Sequence, residues 1–294
     1  MNPSGSTQAC LVIGGLRLLL RSHSASAAFR LRPYYRPFVT GAGAQPADAD
    51  FSVCPHDASL RPDPHAETTW EEETWRLDET PERRLQLWLR TEDGRLQAAA
   101  DLAPNAGSGR LYLQPAPAGR RPPFALTHPC DHILLTTLLA HRHGGMLHAG
   151  AARLDGAAWV FCGHSGAGKT TLTRAWHEAG ATLINDDRVI LRMQGDAAFA
   201  GAAPWHGVES RVTPGLHPLR GLCFLRQGAE DILTPLSSTE AAGRLSGATF
   251  LPLFLKDGVP RVLTTWSRIL ATVPAYELTF TATARSLALC RRSA

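Results

Sequence analysis

The stretch that decides the fold is Trp159-Val160-Phe161-Cys162-Gly163-His164-Ser165-Gly166-Ala167-Gly168-Lys169-Thr170-Thr171-Leu172. An apolar run breaks at a glycine, small residues follow, and a regular pattern resumes at the lysine. The eight residues from Gly163 to Thr170 fit G-x-x-x-x-G-K-[ST] in full. Glycines in such a loop let the backbone close around phosphate oxygens, so that main-chain N–H groups and the next helix start converge on the anion. Lys169 brings a compact cation to the β- and γ-phosphates, and the Thr170 hydroxyl suits a Mg2+ ion bridging them. A chance match has a frequency on the order of a few in a thousand for such a composition. Lysine usage sharpens the point. Of 30 basic residues only Lys169 and Lys256 are lysines, and one is kept where a point charge serves better than a planar fork.

The flanks support this reading over a plain glycine turn. Two apolar runs, 146–154 and 157–162, surround Asp155-Gly156 and predict an antiparallel hairpin whose second strand leads into Gly163. A helix over 169–179 places Leu172, Ala175, Trp176 and Ala179 on one side and stops at Gly180. A short strand over 182–185 then delivers Asp186 and Asp187. In a strand–loop–helix–strand unit the second strand can end on the same sheet edge as the phosphate loop. One carboxylate there can hold Mg2+ or its waters, and another can accept the proton of an attacking hydroxyl. Away from such a loop an Asp pair after a strand reads as a turn. His148, on the first hairpin strand, either reaches the phosphate region or is a hydrogen-bonded core histidine. Pro204-Trp205-His206-Gly207 with Glu209 reads as a polar–aromatic turn. It either supplies a metal ligand, closes over an acceptor, or simply packs its Trp.

The pattern changes near residue 125. Residues 1–125 are broken by Pro, Gly and Asp into short apolar runs, 85–89, 96–102 and 111–113, with a hairpin signal at Asp93-Gly94. Residues 41–66 and 103–109 read as loops and 115–123 as a linker. The apolar segment 9–20 lacks a basic lead, is interrupted by Gly14, Gly15 and Arg17, and reads as two strands at a glycine bend, not a targeting or membrane segment. Residues 126–294 open with a helical face at 131–143. They add a strand at 222–225, a capping box at Ser237-Ser238-Thr239-Glu240 before a helix at 241–245, a helix at 266–273 and a strand at 276–280. The net charge of +4 on 294 residues argues against a nucleic-acid partner. The basic start and the acidic stretch between Glu67 and Glu82 read as solvated faces. Six scattered cysteines form no C-x-x-C pair, so neither a disulfide framework nor a zinc site is expected, and a reducing cytoplasm fits.

On these residues the chain resembles the HPr kinase family and its phosphoenolpyruvate-carboxykinase-like relatives. The features shared are His148 near the hairpin start, the loop at 163–171, and Gly180-Ala181-Thr182-Leu183-Ile184-Asn185-Asp186-Asp187-Arg188-Val189 at the family's spacing. The likeness covers about 147–191. It implies an α/β fold with a mixed sheet, in which a PEP carboxykinase-like P-loop core over 126–294 follows a β-rich part over 1–125 that can serve in substrate docking. It implies ATP-dependent transfer of the γ-phosphate to a serine hydroxyl. Gly163, His164, Ser165, Gly166, Ala167, Gly168, Lys169, Thr170 and Thr171 would bind the nucleotide, and Thr170 and Asp187 would face Mg2+. Asp186, Asp187, Lys169 and His148 would be catalytic, with Asp186 as general base. The Glu-Ile-Arg-Gly signature of true HPr kinases is absent, and Pro204-Trp205-His206-Gly207 stands in its place. The chain therefore looks more like the divergent relatives, some of which phosphorylate a lasso-peptide precursor. The expected acceptor is a peptide or small protein in the cytoplasm, with no membrane partner, and the family's ring-like assemblies point to a homo-oligomer. A kinase for a small metabolite such as free serine, or a nucleotide-binding regulatory module, is the alternative.

Overall fold

The computed structural model describes residues 6–41, 45–56, 59–209, 211–281 and 285–293. The chain divides into two compact units, residues 1–12 with 16–138, and residues 13–15 with 139–294.

The first unit is built on nine strands among the described residues: β1 (Gln8–Ile13), β2 (Leu16–Ser22), β3 (Val39–Thr40), β4 (Ala49–Pro55), β5 (Glu67–Glu72), β6 (Trp75–Glu79), β7 (Leu85–Arg90), β8 (Leu96–Leu102) and β9 (Ser108–Leu113). They form one sheet in the order β3-β1-β2-β4-β9-β8-β7-β6-β5. The sheet is mixed, because β2–β4 and β4–β9 run parallel while β5 to β9 form an antiparallel meander. The hairpin expected at Asp93-Gly94 joins β7 to β8. Two loop expectations need correction. Strand β4 lies inside 41–66, its Ala49, Phe51 and Val53 buried at alternate positions, while 42–44 and 57–58 lie outside the described residues. Strand β9 begins inside 103–109. In both, period-two burial outweighs local turn composition.

Helix α1 (Cys130–His141) contains the division between the two compact units, which falls between Leu138 and Leu139. Its Ile133, Leu134, Leu135, Leu138, Leu139 and Ala140 are all buried, so it is apolar nearly all round.

The second unit continues with β10 (Gly144–Leu154), β11 (Ala157–Cys162), α2 (Lys169–Glu178), β12 (Thr182–Asn185), β13 (Arg188–Gln194), β14 (Ala197–Ala202), β15 (Leu216–Gln227), β16 (Ile232–Pro235), α3 (Ser238–Gly247), α4 (Gly258–Thr272), β17 (Ala275–Phe280) and α5 (Arg285–Arg292). The sheet order is β11-β10-β13-β14-β15-β17-β16, with β12 on β10, and a β11–β15 pairing closes five of the strands into a ring. The expected hairpin is β10–β11, the helix after the loop is α2, and the short strand is β12. The strand expected at 222–225 is the middle of β15, and the helix at 266–273 is the second half of α4. The capping box at Ser237 and Glu240 is formed in both directions.

Strand directions place the site. β12 is antiparallel to β10, and β10 is antiparallel to β11, so β11 and β12 point the same way. β15 and β17 are parallel to β11. The ends of these four strands, at Cys162, Asn185, Gln227 and Phe280, therefore fall on one edge. Beneath it Phe161, Leu172, Trp176, Tyr276, Leu278, Leu287 and Cys290 share a core, with Trp176 edge-on to Phe161 and its Nε1 donating to Ser286 Oγ at 2.9 Å. That core fixes α2, and with α2 the loop before it. Among the described residues no helix is long and apolar enough to cross a membrane, and all six cysteines are free thiols.

Candidate active site

Strand β11 ends at buried Cys162, whose thiol is pushed up to about 12 by burial. The loop then turns through Gly166 at φ 79° and Gly168 at φ 96°, in the left-handed region that glycine alone enters without strain. At Gly168 space is decisive as well, since a Cβ there would lie 2.6 Å from Phe280 Cζ. Lys169 opens α2 and is 7% exposed, its Nζ donating to Gly163 O at 2.9 Å and His164 O at 3.1 Å. The ammonium thus sits inside the loop it serves. Burial lowers its pKa, opposed by the nearby Cys162 and Asp187. Thr170 and Thr171 follow in the first turn of α2, with Thr171 exposed.

At the end of β12 the polar residues divide their work. Buried Asn185 accepts the Asp187 and Arg188 N–H groups on Oδ1, at 2.9 and 3.0 Å, and donates from Nδ2 to Ala203 O and Trp205 O, both at 3.0 Å. Asp186 is 2% exposed, with Oδ1 accepting Gly207 N–H at 2.8 Å and Oδ2 accepting Glu209 N–H at 3.0 Å. Its carboxylate faces the 204–209 turn. Gly207 leaves room for it, because a Cβ there would stand 2.8 Å from Asp186 Oδ2. The Glu209 carboxylate, considered above as a metal ligand, is ion-paired with Arg174 at 2.6 Å.

Asp187 is oriented differently. Its side chain is 24% exposed, with Oδ1 3.0 Å from His148 Nδ1 and Oδ2 accepting from Arg188 Nε at 3.2 Å. The Arg188 guanidinium lies 4.5 Å from the Phe250 ring centroid and 5.8 Å from that of Trp205. Phe250 also meets the His148 ring edge-on at 6.4 Å. Main-chain bonds fix both ends of the pair, His148 N–H to Ala248 O at 2.7 Å and Ala149 N–H to Asp187 O at 3.0 Å. His148 lines a cavity of 470 Å³ together with Gly163, His164 and Ser165 of the loop. The structure thus brings His148, Asp187 and Lys169 to the loop edge and turns Asp186 away, into the 204–209 turn. Arg188, Phe250 and Asn185 were given no role in the sequence reading. Asn185 alone had a local signal, as a side-chain amide at a strand end.

Among the described residues no group of three or more His, Cys, Asp or Glu is placed to hold a metal. A hydroxyl at Thr170 and a carboxylate at Asp187 are hard oxygen donors and few in number. That donor set fits Mg2+, which keeps waters and takes phosphate oxygens as further ligands.

The fold and loop define a mixed α/β protein with a nucleotide-binding P-loop domain. Residues 159–218 match the sequence profile of the AAA domain family. Among solved structures, the Hpr(Ser) kinase/phosphatase from Coxiella burnetii is similar at 12% identity, over 50% of this chain and 91% of that one, with a TM-score of 0.30. No curated protein sequence matches the chain.

Proposed function

We propose that the chain is an ATP- and Mg2+-dependent kinase that phosphorylates a hydroxyl, most simply a serine of a peptide or small protein. The observation that carries this reading is the His148–Asp187 pair, held at 3.0 Å on the sheet edge that bears the P-loop. A P-loop alone supports nucleotide binding. An imidazole oriented by a carboxylate beside it adds a group able to take a proton.

In this reading the acceptor hydroxyl enters the 470 Å³ cavity. Its oxygen attacks the γ-phosphorus and its proton passes to His148 Nε2, the ring nitrogen opposite the one that faces Asp187. The new O–P bond forms as the bond to the β-phosphate oxygen breaks, and ADP leaves with that electron pair. Asp187 stabilises the resulting imidazolium. Lys169 and the N–H groups at the start of α2 stabilise charge on the transferring group. Thr170 and Asp187 would hold Mg2+, which when bound would supply charge neutralisation for the phosphates. We assign Asp186 to holding the 204–209 turn in place of the base role that the family resemblance implies, because it is buried with both oxygens on main-chain amides. The strand-rich part over 1–125 is the proposed docking part for the acceptor.

The test is mass spectrometry after incubating the chain with ATP, Mg2+ and peptides or proteins encoded beside its gene. Phosphoserine on one of them, absent with His148→Gln, is the expected result. Tight ATP binding with no phosphate transferred would sink the kinase reading. Full transfer by both His148→Gln and Asp187→Asn would remove the pair from the chemistry.

A further inference from the structure

The phosphoryl-transfer reading places the γ-phosphate but not the other end of the nucleotide, and the step taken here rests on that reading. A cavity borders each end of the loop. The 470 Å³ cavity meets Gly163, His164 and Ser165 and contains His148. The other, of 260 Å³, is lined among the described residues by Gly168, Thr171, Gln227, Gly228, Phe280 and Thr281. In a loop of this type the backbone cradles the α- and β-phosphates, and the lysine reaches the β- and γ-phosphates. The γ-phosphate must lie beside the group that takes the acceptor's proton, hence toward His148. The phosphates then run back along the loop into the first turn of α2, where Thr171 follows Thr170.

We propose that the 260 Å³ cavity is the nucleoside subsite, taking the base and ribose of the bound triphosphate beyond Thr171. Its walls are preorganised. Phe280 closes one side against Gly168, where a Cβ would be 2.6 Å from the ring. Gln227 Nε2 donates to Gly166 O at 3.1 Å and so ties a second wall to the loop itself. Thr281 is fixed by its N–H and hydroxyl, both donating to Asp231 Oδ1, at 2.5 and 2.9 Å. An aromatic edge with a few fixed polar groups is what a planar heterocycle requires. This placement leaves the cavity at His148 free for the acceptor.

The experiment is calorimetric titration of the full chain with Mg2+, using ATP and inorganic triphosphate as separate ligands. Gln227→Trp, at an exposed position at the end of β15 and outside the phosphate loop, does not disturb the core. Its indole fills the mouth of the cavity. The expected result is ATP weakened about tenfold or more, with inorganic triphosphate changed by less than about twofold. Unchanged ATP affinity, or equal weakening of both ligands, overturns the placement. If wild-type protein binds triphosphate as tightly as ATP, the nucleoside gains nothing from the chain and the placement also falls. A wild-type chain that binds neither ligand overturns the underlying P-loop reading and this subsite with it.

Discussion

Lys169 illustrates how burial and function pull on one group. Its ammonium, 7% exposed and held by two carbonyls, has a pKa below the usual 10.5 because burial disfavours the charged form. The unfolded chain therefore keeps this proton to higher pH than the folded one. Between the folded pKa and 10.5 the linkage makes folding stability rise with pH. Phosphate binding has the opposite sign, since it needs the ammonium. We expect nucleotide affinity to fall as pH climbs through the folded pKa, earlier than for an ordinary lysine, as read by titration calorimetry between neutral pH and about pH 10. Lys169→Ala should abolish measurable binding while leaving the circular dichroism spectrum intact. For the transfer pair, His148→Gln and Asp187→Asn should each lower kcat by about 10²- to 10⁴-fold, with ATP affinity little changed for His148→Gln. Measuring kcat and Kd separately distinguishes this from a folding defect.

At the level of elements, the 204–209 turn behaves as a latched segment: Asn185 holds its start, Asp186 its middle, and Arg174 grips Glu209. Gly207→Ala drives a methyl toward Asp186 Oδ2, 2.8 Å away, so it should free the turn. Faster amide exchange at 205–209 and a melting temperature lowered by a few degrees are expected, equivalent to roughly 1–2 kcal/mol. Ser237→Ala should cost about 1 kcal/mol in chemical denaturation by removing the α3 cap. The elements around the loop were legible because their signals are local. Asp155-Gly156 between apolar runs, Gly180 after a helical face, and Ser237 three residues before Glu240 each punctuate the chain where they act. Strand β4 was not, because three alternate apolar residues among Asp, Ser and Pro carry no local punctuation and acquire meaning only between β2 and β9. The orientation of Asp186 was also hidden, since its partners lie 21 and 23 residues away across a turn. Adjacent acids at a strand end point to different sides, and which one meets the loop is a matter of backbone path, not composition.

On the scale of the whole molecule, the second unit is held by a core that runs from β11 through α2 to α5. Trp176→Ala, which removes a fully buried indole and its bond to Ser286, should destabilise the chain by about 3–5 kcal/mol in urea denaturation. ATP at about a hundred times its Kd should restore about 2.7 kcal/mol by mass action, in a thermal shift that Lys169→Ala abolishes. The scarcity of lysine has a practical corollary in reactivity. Lys256 is exposed, whereas Lys169 is sunk in its own loop. Beyond the terminal amine, an acylating dye should therefore mark Lys256 nearly alone. Lys256 is thus a built-in side-chain attachment point for a fluorophore, and any slow labelling at Lys169 would time the opening of the loop and stop when nucleotide fills it.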